Sequence, residues 1–326
     1  MKFDYLLILG LLCVQVAIAS ESSSPTAQLA SLQQLAARSE PHAAKKLILG
    51  ATRAGKHLVA VGEHGVIIIA DDDRLEWRQA KLVPTRATLN DVSFVDERNG
   101  WAVGHWGVIL HTTDGGETWV LQRAATAEDR PLFAVHFIDG QHGIAVGLWS
   151  LMLRTEDGGA SWKEVVLPSP PDGGKADRNL FGVFAASEGQ LMVVAERGAV
   201  LRSSDMGESW TYSLTGYKGS FWTGGLLADG RVFVAGLRGT IYSSRDGGNS
   251  WLPVSSGTKS SLTAFSKSPG VATFVGLDGI RLNVAGHSVH VAQRQDRLPL
   301  TAVVTNGNGK LITFSRNGVV QPEQGP

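Results

Sequence analysis

The sequence predicts an all-β fold, a seven-bladed β-propeller, and three observations lead to this prediction. The 326 residues exceed the roughly 100–200 of a typical domain, and barrels and propellers often reach this length as one unit. The chain has 39 glycines and 12 prolines, which indicates many tight turns. A unit of about 40 residues recurs along the chain, and units of that length with four short strands are typical of propeller blades.

The first 19 residues have the features of a cleaved secretory signal peptide. Lys2 precedes an apolar run from Tyr5 to Ala19, which ends in a small-x-small pattern beginning at Ala17. This run is shorter than the roughly 20 apolar residues of a spanning helix, although a retained membrane anchor is the alternative. Cleavage after Ala19 removes Cys13, the single cysteine, and with it any disulfide or thiolate site. We expect a periplasmic or otherwise exported protein that does not insert into the membrane after cleavage.

Residues 20–46 are predicted to form an N-terminal arm ahead of the repeats. Gln28–Ala37 is helix-prone, but Pro25 and Pro41 bracket it, so we expect only two or three helical turns. The last repeat is too short for a fourth strand. The arm could supply that strand, which would protect an exposed sheet edge.

Residues 47–326 contain the seven repeats of the predicted propeller. Equivalent positions are 42, 43, 48, 41, 40 and 39 residues apart. Each unit has three or four short runs rich in Val, Ile, Phe and Leu, separated by Gly, Asp or Asn turns, which is typical of antiparallel strands. No unit sustains the spacing of apolar residues that a helix requires.

Four repeats end in the pattern Asp-x-Gly-x-Ser/Thr-Trp, and we call these segments the Asp-box turns. Glycine allows positive φ, the aspartate accepts hydrogen bonds from nearby amides, and the tryptophan packs against the blade. A calcium loop or a catalytic carboxylate is the alternative, but four equivalent copies exceed what one active site needs. We predict a structural role for Asp114, Trp119, Asp157, Trp162, Asp205, Trp210, Asp246 and Trp251.

Up-and-down strands place the turns of a propeller on two faces. The turn after each second strand shares one face, the turn face, with the links between blades, whereas the Asp-box turns lie on the opposite box face. The turn face collects tryptophan, tyrosine and arginine where the links are longest, which is the composition of a recognition surface. Packing against a neighbouring blade is the alternative for the tryptophans, and a solvated or ion-paired turn charge is the alternative for the arginines. The candidate binding residues are Trp106, Trp149, Arg197, Tyr217, Arg238 and Arg316.

The repeats resemble the Asp boxes of bacterial neuraminidases and, in a fuller pattern, the photosystem II stability/assembly factor-like propeller family. That pattern comprises Pro84–Leu89, Asn99–His105, Tyr217–Phe221 and Gly236–Gly239, and the likeness covers about residues 47–320. The resemblance implies a non-enzymatic, chaperone-like protein that binds its partner through an arginine-bearing face. Relatives outside photosynthetic organisms are exported and often encoded beside transporters of the resistance-nodulation-division (RND) type. We therefore expect an envelope or membrane protein as partner, with an RND-type transporter as one candidate.

Charge and motif content argue against several other classes of protein. Thirty basic and thirty acidic residues give no net charge, so nothing global attracts nucleic acid. We find no zinc-protease, paired-cysteine, nucleophile-elbow or phosphate-loop motif, and we expect a monomer without metal, cofactor or catalytic residues. The alternative is a sialidase-like glycoside hydrolase or a carbohydrate-binding propeller, with Arg197, Arg238 and Arg316 as the arginine cluster. A hydrolase would need two carboxylates within about 5–9 Å at the axial mouth.

Overall fold

The computed structural model describes residues 35–128, 130–173, 176–187 and 189–321. The predicted signal peptide (1–19), including Cys13, and residues 20–34 of the arm lie outside these ranges, so the interpretations that concern them stay predictions. Within the described ranges, no helix is both long enough and apolar enough to cross a bilayer.

The chain folds into seven antiparallel sheets, which confirms the predicted seven-bladed propeller. Strands in each sheet follow one another in chain order, because each hairpin joins neighbours. The first four blades consist of β1 (Ile48–Ala54), β2 (His57–Gly62), β3 (Ile67–Asp71) and β4 (Arg78–Gln79); β5 (Leu89–Phe94), β6 (Gly100–Gly104), β7 (Ile109–Thr112) and β8 (Val120–Arg123); β9 (Leu132–Phe137), β10 (Gly143–Gly147), β11 (Met152–Thr155) and β12 (Lys163–Glu164); β13 (Leu180–Ser187), β14 (Gln190–Ala195), β15 (Ala199–Ser203) and β16 (Thr211–Leu214).

The last three blades repeat the same order, except that the seventh sheet has three strands within the described ranges. Its outer strand is only two residues long, which agrees with the short final repeat. These blades consist of β17 (Phe221–Leu226), β18 (Val232–Gly236), β19 (Ile241–Ser244) and β20 (Leu252–Val254); β21 (Leu262–Ser268), β22 (Val271–Gly276), β23 (Ile280–Ala285) and β24 (Ser288–Gln293); β25 (Leu300–Thr305), β26 (Leu311–Ser315) and β27 (Gly318–Val319).

The apolar core lies between the blades. One cluster of buried side chains occupies each boundary between neighbouring blades. Strands such as β6, β10 and β18 are buried along their whole length, since both faces of their sheets are covered. The cluster between blades 6 and 7 is the smallest, with Val275, Leu300 and Val303 as its buried members.

The ring closes where the inner strand β25 contacts β1. The Thr301 hydroxyl donates a hydrogen bond to the Ile48 carbonyl. The Asn306 side chain donates to the Asp72 carbonyl at 3.0 Å, and the Gly307 amide donates to the Asp72 carboxylate at 2.7 Å. Closure within the described chain therefore uses side-chain hydrogen bonds and packing between the first and last blades.

The described part of the arm, residues 35–46, contains a 3₁₀ turn, Ala43–Lys45, and no strand. This turn packs against β27, so closely that a Cβ on Gly318 would lie 1.9 Å from the Ala44 carbonyl oxygen. The predicted fourth strand of blade 7 therefore has no counterpart in residues 35–46.

Hydrogen bonds between turns show the two faces that the strand order predicts. On the box face, the Gly115 amide of an Asp-box turn donates to the Arg98 carbonyl in the hairpin between β5 and β6. On the turn face, the His105 amide donates to the carbonyl of Thr88 in the link that precedes blade 2. Each face is thus a ring of turns, and backbone hydrogen bonds join these turns to adjacent hairpins or links.

Candidate binding face and channel mouth

The Asp-box turns form closed hydrogen-bond networks on the box face. One Asp114 oxygen accepts hydrogen bonds from the Thr118 amide at 2.9 Å and the Thr112 hydroxyl at 2.8 Å, and the other accepts from the Thr118 hydroxyl at 2.6 Å. The Thr112 hydroxyl also accepts from the Gly116 amide at 3.0 Å. The same hydroxyl and amide donors surround the other three aspartates, Asp157, Asp205 and Asp246.

These networks hold the carboxylates in their charged form. Hydrogen bonds from the Ser161 hydroxyl and amide and from the Thr155 hydroxyl lower the pKa of Asp157 to about 2. Four carboxylates that bond to their own turns in the same way have the geometry of turn-stabilising groups.

The four box tryptophans pack against their blades to different depths. Trp119 and Trp210 are buried, and their ring N–H groups donate to the carbonyls of Gly116 and Gly207 in their own turns. Trp162 and Trp251 are half-buried, and the Trp251 ring donates to the hydroxyl of Ser213. No group of three metal-ligating side chains occurs in the part of the chain that the structure describes.

The turns after the second strands share one unusual backbone conformation in blades 1–6. The central residue is left-handed, with φ between 53° and 60°. This conformation costs a residue with a Cβ roughly 1–2 kcal/mol, so it needs support from the surrounding structure. Support comes from the next position, where a Cβ on Gly198, for example, would lie 2.1 Å from the Tyr217 carbonyl oxygen of the link. The central residues are His64, Trp106, Trp149, Arg197, Arg238 and Asp278.

The structure divides the six candidate binding residues into two groups. Arg197, Arg238 and Arg316 are exposed, and 59 % of Trp149 is accessible to solvent. Trp106 is half-buried and packs against the cluster between blades 1 and 2. Three of the exposed residues lie on consecutive blades, 3, 4 and 5.

Tyr217, also a candidate, is half-buried and supports the neighbouring turn. Its hydroxyl donates to the Leu237 carbonyl at 3.1 Å, and its ring lies 5.3 Å from that of Phe221. The Arg238 amide donates to the Ser261 hydroxyl at 3.1 Å. Tyr217 thus helps to hold the turn that presents Arg238.

Asn179 joins the turns of blades 3 and 4, and sequence reasoning did not single it out. Its side-chain oxygen accepts from the Trp149 amide at 3.1 Å, and its side-chain nitrogen donates to Glu196 at 3.0 Å. Asn179 ends the long link between these blades, which runs from β12 to β13. The bond network fixes the turns that carry Trp149 and Arg197 relative to each other.

Arg178, in the same link, is a buried cation below the turn face. It forms an ion pair with Asp172, and its guanidinium lies 5.5 Å from the centre of the Tyr212 ring. Its carbonyl accepts from the Ser150 amide at 2.8 Å. Arg178 thus anchors the link from a buried position, whereas Arg197 on the next turn is exposed.

Every inner strand has a one-residue bulge near its turn-face end, which sequence reasoning missed. In β9, for example, Leu132 pairs with Gly147 and Ala134 pairs with Val146, so Phe133 lies between two pairing positions. The seven bulge residues are half-buried and surround the turn-face end of the central channel, which we call the channel mouth. They are Leu49, Asn90, Phe133, Phe181, Trp222, Thr263 and Thr301.

The bulge residues divide the channel mouth into a polar arc and an apolar arc. In the polar arc, Asn90 donates to the Leu132 carbonyl at 2.7 Å and Thr263 to the Leu300 carbonyl at 2.8 Å, each on the next blade. In the apolar arc, the rings of Phe133 and Phe181 stack at 5.6 Å, and Trp222 follows on blade 5. The apolar arc therefore lies on the same three blades as Trp149, Arg197 and Arg238.

A cavity of about 250 Å³ lies at the channel mouth, lined by inner strands of all seven blades. Its lining also includes Phe184 and Phe265, which pack over Gly224 and Gly225 of β17. A Cβ at these glycines would lie 2.7 Å from the Phe184 ring and 2.1 Å from the Phe265 ring. The glycine pair thus leaves room for these two aromatic rings, which pack against the apolar clusters on either side of blade 5.

Asp91 is the single carboxylate among the described residues that line this cavity. Its oxygens accept hydrogen bonds from the Val92 amide at 2.9 Å and the Val135 amide at 3.0 Å, but burial dominates and raises its pKa to about 6. His136, on the inner strand β9 of blade 3, has its pKa lowered to about 4 by burial and by the charge of Lys267. The imidazole is therefore neutral near pH 7.

A family model described as photosynthesis system II assembly factor YCF48 matches residues 69–224. The match covers slightly less than half of the chain, and over these residues the chain is similar to this Ycf48-like family. Two curated relatives align over short segments. The photosystem II assembly protein Ycf48 of Thermosynechococcus vestitus is 46 % identical over 43 residues, which are 13 % of this chain and 12 % of the relative. The photosystem II stability/assembly factor HCF136 of Cyanidioschyzon merolae is 49 % identical over 45 residues, 13 % of this chain and 10 % of the relative.

Solved structures of Ycf48-like proteins have the same fold over most of this chain. YCF48 bound to D1 peptide has a TM-score of 0.67 and 18 % identity, covering 87 % of this chain and 94 % of its own. YCF48 from Cyanidioschyzon merolae has a TM-score of 0.67 and 15 % identity, covering 87 % and 97 %. The GH74 enzyme of Niastella koreensis reaches a TM-score of 0.67 at 11 % identity, covering 85 % of this chain and 52 % of its own. At these identities the likeness shows the propeller fold alone.

Proposed function

We propose that this protein is an exported, monomeric, non-enzymatic propeller that binds a segment of another protein on its turn face. The partner would be an envelope or membrane protein during assembly, with an RND-type transporter as one candidate. One observation carries the proposal: exposed Trp149, Arg197 and Arg238 occupy hydrogen-bonded turns of consecutive blades beside the apolar arc of the channel mouth. A relative of the same fold is bound to D1 peptide, which is a precedent for a protein segment as ligand.

The turn face is suited to recognition because its backbone is already ordered. Each turn is bonded to its link, so binding orders little additional chain. Guanidinium groups such as that of Arg197 can form paired hydrogen bonds to carboxylates, and an exposed indole such as that of Trp149 supplies apolar area. Since the chain has no net charge, attraction is local, and affinity should fall only moderately with salt.

A binding role has more support than glycoside hydrolysis. Retaining and inverting glycosidases generally use two carboxyl groups on either side of the scissile bond. The described lining of the mouth cavity provides Asp91 alone, and both of its oxygens already bond to backbone amides. The likeness to a GH74 enzyme concerns the fold alone, and it assigns no catalytic residue to this chain.

Removing two exposed cations of the turn face, Arg197 and Arg238, tests this proposal. We expect Arg197→Ala combined with Arg238→Ala to weaken binding by about 2 kcal/mol or more if these arginines are hot spots, with an unchanged melting temperature. The matched control is Lys56→Ala with Arg245→Ala, which removes two exposed cations from the box face. Binding to a D1 peptide and to proteins captured from envelope extracts is measured by calorimetry and quantitative mass spectrometry.

The proposal fails if the turn-face pair leaves both measurements unchanged while the box-face pair abolishes them. The export part has a separate test, because cleavage after Ala19 leaves Ser20 as the first residue. Amino-terminal sequencing of the purified protein should find Ser20. An intact Met1, or a lipid on Cys13, would contradict export of a cleaved chain.

A further inference from the structure

We propose that β24, the outer strand of blade 6, is a docking edge for an extended segment of another protein. The segment pairs with β24 as an additional strand, and its acidic side chains enter the groove between blades 6 and 7. This site lies on the outer rim of the ring. It is separate from the turn face and does not depend on the proposed function.

The outer strand of blade 6 is longer than the other outer strands in the part of the chain that the structure describes. β24 has six residues, whereas the outer strands of the other blades have between two and four. In blade 2, residues 113–119 with their Asp-box turn separate β7 from β8, but in blade 6 only residues 286 and 287 separate β23 from β24. Gly286 allows this tight loop with a φ of 57°. The short loop therefore keeps both strands paired to their ends.

The free edge of β24 lacks the features that commonly block strand addition. Charged residues, proline and bulges protect many edge strands. β24 contains no lysine, arginine, acidic residue or proline, and its register with β23 has no shift over six pairs. By contrast, β20 contains Pro253, and a register shift interrupts the pairing of β8 with β7. β24 is thus a long and regular edge that nothing in its own sequence protects.

The pairing of β24 with β23 shows which backbone groups the edge offers. The Arg294 amide, directly after β24, donates to the Gly279 carbonyl at 3.0 Å. Bonded and non-bonded pairs alternate along antiparallel strands. The amides and carbonyls of Val289, Val291 and Gln293 therefore point away from β23, and no strand pairs with them within the described ranges. These groups are the sites at which an added strand would bond.

The groove beside this edge is basic. Its volume is about 460 Å³, and its described lining contains three cations, Arg281, Arg294 and Lys310, and no acidic side chain. Asp296 pairs with Arg294 at 2.8 Å. Arg281 and Lys310 are exposed, and neither forms an ion pair with another described residue. Carboxylates of an added strand would therefore meet two cations that have no acidic partner there.

The two faces of β24 predict the side-chain pattern of the segment. Ala292 lines the groove, whereas Val289 packs against the apolar cluster between blades 5 and 6. Val291, on the same face as Val289, is 41 % exposed. Because successive side chains of a strand alternate between faces, the added strand presents every second residue to the groove and the others beside Val291. The segment that fits alternates acidic with apolar residues.

Two other occupants fit this edge less well. A second copy of the chain would add its own β24, which brings no carboxylate to the basic groove. The chain's own segment 322–326 follows Gln321, which lines the groove. That segment has one acidic residue, Glu323, and its prolines, Pro322 and Pro326, cannot donate to a ladder. A separate acidic strand therefore matches the edge and the groove better than either.

A peptide series tests the strand and the charge separately. The first peptide alternates three valines with three glutamates, the second has three valines followed by three glutamates, and the third alternates valine with glutamine. Calorimetry with the whole protein should show that the first binds at least about tenfold more tightly than the others. Equal affinities of the first and second would overturn strand addition, and equal affinities of the first and third would overturn the acidic partner.

Backbone methylation of the peptide tests pairing without altering the protein. In an added strand, the amides of the valines point to one side and those of the glutamates to the other. N-methylation of one set should abolish binding, and N-methylation of the other set should preserve it. An equal effect of the two patterns would contradict a strand paired along β24.

Protein variants locate the site. Val291→Pro removes an outward amide and keeps the bonds to β23, so it should abolish peptide binding with little change in melting temperature. Arg281→Ala with Lys310→Ala should weaken the glutamate peptide and leave the glutamine peptide unchanged. The matched control, Arg197→Ala with Arg238→Ala, should leave both unchanged. Binding that depends on the control pair instead would place the peptide on the turn face and overturn this site.

Hydrogen exchange and truncation identify the occupant. Peptide binding should protect the amides of Val289, Val291 and Gln293, and it should leave those of β8 unchanged. A chain that ends at Gln321 should bind the alternating peptide as the whole chain does. Binding only after this truncation would assign the edge to the chain's own segment, and a dimer that Val291→Pro dissociates would assign it to a second copy. Either result would overturn the proposal.

Discussion

The two faces of the ring are built from the same seven repeats but use them in opposite ways. On the box face, four turns repeat both backbone and side chains, and each aspartate bonds to its own turn. On the turn face, six turns repeat only the backbone, and their central residues are histidine, tryptophan, arginine and aspartate. Repetition of side chains therefore marks structural positions in this fold, and variation on a repeated backbone marks positions available for recognition.

The largest expected effect comes from removing a box tryptophan. Trp119 is buried between blades 1 and 2, and core Phe or Trp to Ala changes cost roughly 3–5 kcal/mol. Trp119→Ala should lower the free energy of unfolding by that amount in urea titrations. Trp149→Ala, its counterpart on the turn face, should leave unfolding nearly unchanged and weaken binding. A Trp119→Ala protein that melts like the parent but no longer binds would reverse the roles of the two faces.

The second prediction compares how the carboxylate of the channel mouth and those of the box face change stability with pH. Asp91 has a pKa of about 6 when folded and an ordinary value of 3.8, so the folded state prefers its neutral form. Its stabilising contribution is complete below pH 3.8 and is lost as pH rises through 6, by up to about 3 kcal/mol. Asp157, with its lowered pKa, has the opposite sign and loses stability as pH falls toward 2.

Unfolding measured between pH 4.5 and 7 isolates the Asp91 contribution. Asp91→Asn should be less stable throughout, because one amide loses its acceptor, but its stability should change less with pH than that of the parent. Parallel pH curves for the two proteins would show that Asp91 does not titrate in this range.

The smallest predicted effect tests the left-handed turns. Both Trp149→Ala and Trp149→Gly remove the exposed indole, but only glycine is free of strain at a φ of 53°. The glycine variant should therefore be more stable than the alanine variant by about 1 kcal/mol, with equal losses of binding. An alanine variant as stable as the glycine variant would mean that the turn is not strained.

Repeat spacing and turn chemistry were enough to predict the number of blades, the order of strands and the two faces. A turn such as Gly104–Gly107 can be predicted from its own residues, because its glycines and its left-handed residue, Trp106, lie within four positions of one another. The exposed arginines of the turn face followed from the same register. These features depend on short-range backbone preferences, which a sequence displays directly.

The residues that line the channel mouth could not be predicted from the sequence in the same way. A bulge shifts strand register by one residue, and Leu132-Phe133-Ala134-Val135 reads as an ordinary buried strand. Aligning the repeats would have placed Phe133, Phe181 and Trp222 in one column, the signal that was available. The different depths of Trp106 and Trp149 depend on contacts between distant segments, which no local pattern encodes.

The thin boundary between blades 6 and 7 has a kinetic consequence. Among the described residues, three buried apolar side chains and three half-buried ones pack at this boundary, and a groove of about 460 Å³ lies between Arg294 and Val320. Opening free energies within a protein follow the local extent of burial, so this seam should separate before any other. Amide hydrogens of β25 and β26 should then exchange with solvent earlier than those of β5 and β6. Unfolding of the ring would begin with separation of the last blade.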